Sequence, residues 1–213
     1  MGDAMRLSRG LLLLGVAAIG VGVLLFGAYS AASAPLPEGF PDPSPEGQIE
    51  VKYYPAYRAA TVQMTGNLEY APSRGFSPLF QHISRNDISM TAPVETRYPV
   101  ATLERDAAQE GEAAVSFLYR SLNIVPQDVA PGIQIEDIPA MTVVSIGTRG
   151  RYSLETYQAS LERIQQWLAA HPEYEVVGQP RRFFYDGPFL PDALKRSDVQ
   201  IPVQPVEQAP IGE

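Results

Sequence analysis

The sequence predicts an α+β fold made of two β-α-β-β modules on a shared sheet, and three observations carry that expectation. The chain repeats itself: Tyr54-Pro55-Ala56 opens a strand that closes at Gly66, and Ile138-Pro139-Ala140 opens one that closes at Gly150. The members of each matched pair lie 84 positions apart, as do Val115 and Val199. Apolar residues alternate in the same phase in both copies, so Ala60 and Val62 share a face in one as Val144 and Ile146 do in the other. Each opening strand is then followed by an apolar stripe at helical spacing. With 213 residues, 45% of them hydrophobic, the chain holds one domain and a short extra element. A domain near ~150 residues buries roughly 70% of its unfolded surface, enough for an independent core.

In the first module the helix is short, with Phe76, Leu79, Phe80 and Ile83 on one stripe, and it breaks at the polar turn Ser84-Arg85-Asn86-Asp87. The chain then returns as a strand from Ile88 to Arg97, in which Pro93 ends regular pairing on one side, and a further strand runs from Ala113 to Arg120. In the second module Ser153 is placed to cap a helix, with Thr156 at N3; Pro172, after His171, stops it. Its stripe is Leu154, Tyr157, Leu161, Ile164 and Leu168. Strands from Glu175 to Tyr185 and from Val199 to Val203 complete the repeat.

Outside this unit, Leu11 to Ala28 is an uncharged aliphatic run. At about 1.5 Å per residue it reaches roughly the thickness of a bilayer core. Arg6 and Arg9 precede it, while Glu38 and Asp42 follow, so residues 1–34 are expected to anchor the chain in the inner (plasma) membrane with the domain on the periplasmic side. The alternative is a cleaved signal peptide, since Ala32-Ser33-Ala34 has the small-x-small form of a cleavage site, although Pro35 directly after it fits cleavage poorly. Residues 35–47, PLPEGFPDPSPEG, have five prolines and three acids in thirteen positions and read as an extended spacer. Residues 206–213 are expected to be disordered. The formal net charge is −8, its excess lying on expected loops around Glu38 to Glu50 and Glu104 to Glu112. With no Lys/Arg cluster, the chain is expected to bind no nucleic acid.

The stretch FSPLFQHISRNDISMTAPVE (Phe76 to Glu95) is the most specific part of the chain. Together with EVKYYPAYRAATVQMTGN (Glu50 to Asn67) and YDGPFLPDALKRSDVQIPVQ (Tyr185 to Gln204) it resembles the SOUL family of haem-binding proteins, over about residues 48–205. The signal is strongest at Met90-Thr91-Ala92-Pro93-Val94. The resemblance implies that the two modules form a distorted antiparallel β-barrel flanked by two helices. It also implies tetrapyrroles as the ligand class, with haem as the cofactor. A reaction is not implied.

Nothing in the sequence forms a catalytic constellation. There is no GxSxG elbow, HExxH, Walker loop or CxxC; the chain has no cysteine and only two histidines, which also excludes the common zinc sites. His171, at the end of the second helix, is placed to meet the last carbonyls. His82 falls at the edge of the first helix's apolar stripe, and two readings of it stand: a haem-iron ligand, or a boundary residue satisfying local hydrogen bonds. Phe76, Leu79 and Phe80 could form a flat apolar slot, with Arg85 beyond the helix end as a propionate partner. Met90 reads as core more than as ligand. Some SOUL relatives carry a histidine, regarded as the axial ligand, where this sequence has Tyr53; other relatives bind haem in an apolar groove bordered by the first helix. Three functions are therefore weighed: a membrane-tethered haem or porphyrin-binding carrier, a non-haem effector-type binding module, and a haem-modifying enzyme.

Overall fold

The structure, a computed structural model, describes residues 34–104 and 109–206. The apolar run Leu11–Ala28 and the tail beyond residue 206 lie outside the described residues; among those described, no helix is long and apolar enough to cross a membrane.

The repeat is real in three dimensions. Strand β1 (Ile49–Tyr54) and β2 (Tyr57–Asn67) are followed by helix α1 (Ala71–Arg85), β3 (Val94–Arg97) and β4 (Glu110–Leu118). The second copy supplies β5 (Ile133–Ile138), β6 (Met141–Arg149), helix α2 (Leu154–Ala169), β7 (Tyr174–Val176), β8 (Arg181–Phe184) and β9 (Arg196–Pro205). All pairings between these strands are antiparallel, in the order β1-β6-β9-β8-β3-β4-β2-β5, with β7 added beside β9. Each module lends its first strand to the other: β1 pairs with β6, and β5 with β2. The short pair β3 and β8 therefore sits at the centre.

The expected barrel is not closed by hydrogen bonds, because no ladder joins β1 to β5. What joins the two ends of the order is the chain itself: the edge strand β1 passes into β2, beside the opposite edge, through Pro55-Ala56 alone. Tyr54 of β1, Tyr57 of β2 and Phe183 of β8 then share one apolar cluster on the face away from the helices.

Several boundaries differ from the sequence expectation, and three of them have a local reason. The strand expected over Ile88–Arg97 pairs only from Val94 on, since Pro93 has no N–H and the Thr91 hydroxyl bonds the Leu118 carbonyl instead. The strand expected over Glu175–Tyr185 splits into β7 and β8 at Gly178-Gln179-Pro180. Helix α1 begins earlier, at Ala71, with a proline in its first turn, a position that costs no hydrogen bond. Helix α2 has the expected cap, the Ser153 side chain accepting from the Thr156 N–H at 3.2 Å.

Both helices lie on one face, α1 over β2 and β4 and α2 over β9 and β6. Helix α1 approaches closely because Gly75 faces β4: a Cβ there would stand 2.7 Å from Val115 Cβ. Ala60, Val62, Val115, Leu79, Ile83, Tyr157, Leu161 and Val199 form the main core between sheet and helices.

The segment expected as a free spacer is laid on the sheet. Phe40 packs edge-on against Tyr54 and Tyr57 with centroids 5.0 and 5.3 Å away, and the Ser44 N–H donates to the Asp198 carboxylate at 3.1 and 3.2 Å. Proline-rich composition set the stiffness of this strap, but its single phenylalanine and its backbone donors found buried partners. Gly147 on β6 makes room for it, since a Cβ would lie 2.2 Å from the Ser44 carbonyl oxygen.

The Gly75 contact yields a test. Gly75→Ala adds helix propensity of about 1 kcal/mol, yet forces a methyl into Val115. Net destabilisation is expected, in the overpacking range of about 1–3 kcal/mol, in denaturant unfolding. An equal or higher unfolding midpoint would show that α1 does not sit this close.

Candidate functional site

Between the two helices, the middle of the sheet carries an apolar row. Phe117 of β4 pairs with Val94 of β3, which pairs with Phe184 of β8. Side chains reach over this row from both sides. Phe76 of α1 meets Phe117 edge-on at 5.0 Å, and Tyr152 meets Phe184 at 4.9 Å. Phe76 and Phe80, one turn apart on α1, lie nearly parallel with centroids 5.8 Å apart, and they remain 39% and 42% exposed. A stacked, solvent-facing aromatic pair is a large apolar surface left open on a helix that otherwise buries its stripe.

The other expected site residues are not all brought there. Leu79 is fully buried in the core under the helix. Arg85 is exposed at the helix C-terminus. Met90 is half-buried against the main core. Tyr53 is 64% exposed on β1, paired with β6 on the half of the sheet that α2 covers, and is not assembled with the α1 residues.

His82 is turned inward and only 2% exposed. Its Nε2 stands 2.7 Å from the Tyr119 hydroxyl, and Asn86 Nδ2 stands 3.4 Å from its Nδ1. Asn86 also donates to the carbonyls of His82 and Asp128, while its Oδ1 accepts from the N–H groups of Gln127 and Asp128. The imidazole is thus one member of a clamp that fastens the loop after β4 to the end of α1. Burial lowers its pKa, with Asp128 opposing, and burial pushes the Tyr119 phenol up to about 12.

On the opposite face of the sheet lies a constellation that motif reading missed. Glu95 and Arg181 form an ion pair at 3.1 Å with both side chains essentially buried. The Tyr57 hydroxyl donates to both Glu95 oxygens at 3.1 and 3.2 Å and accepts from Arg181 Nη1 at 2.9 Å. Arg181 Nε donates to Gln200 Oε1 at 2.8 Å, and Gln200 Nε2 donates to the Tyr54 hydroxyl at 2.8 Å. Desolvation raises both tyrosines above the usual phenol range, which keeps their hydroxyls protonated. Beside this network opens a cleft of about 350 Å³. The signal was present in the alternation: Glu95 and Arg97, like Arg181, are charged residues at strand positions that face inward.

The His82 clamp makes a pH prediction. Because the folded-state pKa is lowered, the unfolded chain takes up a proton first as pH falls below 6.5, and stability is lost there. The stability difference between wild type and His82→Gln is expected to be constant above neutrality and to shrink as pH falls through that value. Parallel stability curves for the two proteins would remove the imidazole from this role.

Comparison with solved structures gives the same architecture. The chain is similar to EcmrR in its DNA complex (TM-score 0.61, 16% identity, 96% of this chain and 71% of that chain) and to the EcmrR C-terminal domain (TM-score 0.60, 19% identity, 75% and 98%). It is also similar to an uncharacterized conserved protein from Listeria innocua (TM-score 0.56, 12% identity, 75% and 94%). At such identities the likeness is one of fold. No curated protein matches the chain in sequence. The profile of a family described as SOUL heme-binding protein matches residues 43–202, the whole of the two-module sheet but for its first strap residues and the end of β9. The chain is a member of the SOUL heme-binding protein family.

Proposed function

We propose that this chain is a membrane-tethered, non-catalytic haem or tetrapyrrole-binding module that holds the macrocycle against the exposed aromatic face of α1. The observation that carries the reading is the open Phe76–Phe80 pair, placed by the fold beside the Phe117–Val94–Phe184 row of a heme-binding family domain. A flat conjugated ring asks for such a surface, and Arg85 at the helix end offers a cation to a propionate. Haem, when bound, brings an iron whose redox and ligand-binding chemistry the protein tunes by axial ligation and burial. The residues present fit the ring better than they fit the iron. Ligation by His82 would break its 2.7 Å contact with Tyr119 and open the clamp on the β4 loop, and Met90 packs against the core. We therefore assign Phe76 and Phe80 to the ring and His82 to the scaffold.

The anchor belongs to the same proposal. The run Leu11–Ala28 holds the chain in the inner membrane with the domain on the periplasmic side, where a non-catalytic module would buffer or pass on the ligand.

Hemin titration of the detergent-solubilised full chain, followed at the Soret band, tests the assignment. Phe80→Ala and Phe76→Ala are each expected to weaken binding about 2- to 10-fold, the worth of one aromatic contact. His82→Gln is expected to leave the Soret position unchanged. A wild-type chain that takes up no more hemin than a Phe76→Ser/Phe80→Ser control would sink the haem reading, and a Soret shift in His82→Gln would restore the imidazole as ligand.

A further inference from the structure

We infer that the inner-face cleft is a second ligand site, distinct from the α1 surface, and that it takes a small carboxylate with an apolar body. The cleft's floor carries two arginines in direct register, Arg97 on β3 and Arg181 on β8. Like charges opposite each other on one sheet face repel, so the pair is held only by compensation. That compensation is incomplete in its hydrogen bonds. Arg181 is 1% exposed, and its Nη2 has no hydrogen-bond partner among the described residues; the buried Nε of Arg97 has none either. Leaving such donors unmet costs free energy that an incoming acceptor would recover.

The unmet groups are all donors, and this fixes the ligand's polarity. Glu95 is already engaged by Arg181 and Tyr57, and Glu136 is paired with Arg97. A cationic ligand would have to compete with Arg181 for Glu95. An oxygen acceptor meets no such competition, and a carboxylate suits a guanidinium edge in charge and shape. Apart from Gln179, the remaining wall is apolar, from Ile138, Met141, Val177 and Pro202. A volume of about 350 Å³ lies at the small end of ligand pockets and suits a single-ring acid rather than a macrocycle.

Isothermal titration of the full chain with phenylacetate, phenylacetamide and phenethylamine tests this. Saturable phenylacetate binding is expected, about tenfold or more tighter than the amide, as for a hydrogen bond to a charged group. No binding of the amine is expected. Ala140→Trp, at an exposed position on the cleft's edge, should abolish phenylacetate binding without changing the melting temperature or hemin uptake, which separates this inference from the haem reading. Arg97→Gln should weaken phenylacetate about tenfold. Absence of saturable binding, equal binding of acid and amine, or retention in Ala140→Trp would each overturn the inference, and the orphan donors would then be met by water alone.

Discussion

The buried pair Glu95–Arg181 is the constraint to which much of the inner face is fitted. Arg181 spends one edge on Glu95 and Tyr57, another on Gln200, and its plane on the rings of Tyr54 and Phe183, 5.1 and 4.5 Å away. Five strands contribute to that one guanidinium: β1, β2, β3, β8 and β9. A single charge thus ties the edge strand β1, and β2 beside the opposite edge, to the centre of an unclosed sheet. Removing one member of such a pair costs about 3–5 kcal/mol, because the survivor stays buried and uncompensated. The pair is better read as a device that fixes the sheet's curl than as a net source of stability.

A second buried charge repeats the solution nearby. Asp198 on β9 accepts from the Ser44 backbone, from the Ser145 and Tyr185 hydroxyls and from Lys52, and burial raises its pKa against the opposing lysine. Here the partners include the N-terminal strap, which a hydrogen bond inside the domain thus fixes at Ser44. Phe40, wedged among Tyr54, Tyr57 and Phe183, fixes the middle of the same strap. The strap is thereby held on the sheet at two fixed points, as a free spacer would not be.

The architecture was legible from sequence where periodicity acts on its own. The repeat between Tyr54 and Ile138, the alternation through Val144 and Ile146 and the Ser153 cap each express a local rule, and each reappears in the structure. What sequence could not supply was pairing. Exchange of β1 and β5 between modules, and the consequent central place of β3 and β8, depend on contacts between distant segments. His82 shows the limit most directly. Its wheel position at the stripe edge is compatible with either of two roles, and what the sequence could not show is Tyr119, 37 positions away, whose hydroxyl lies against the imidazole. Glu95 was visible in the chain's most specific motif, yet its meaning required Arg181. The strap was misjudged because composition describes an average, whereas Phe40 and the Ser44 N–H act singly.

The central ladder explains how one small sheet can present two unlike surfaces. It has four rungs, from Val94–Phe184 to Arg97–Arg181, and each strand is preceded by a proline, Pro93 or Pro180, that stops the ladder from extending. Neighbouring residues of a strand face opposite sides, so the rung at one end turns Val94 and Phe184 toward the helices while the rung at the other end turns Arg97 and Arg181 away from them. Three residue steps, roughly 10 Å of strand, separate the two ends. The aromatic surface and the arginine cleft therefore share backbone but no side chain. A macrocycle too large for the cleft and an acid too polar for the aromatic face would be sorted by size and charge alone. The four-residue ladder between them is structure that both surfaces share.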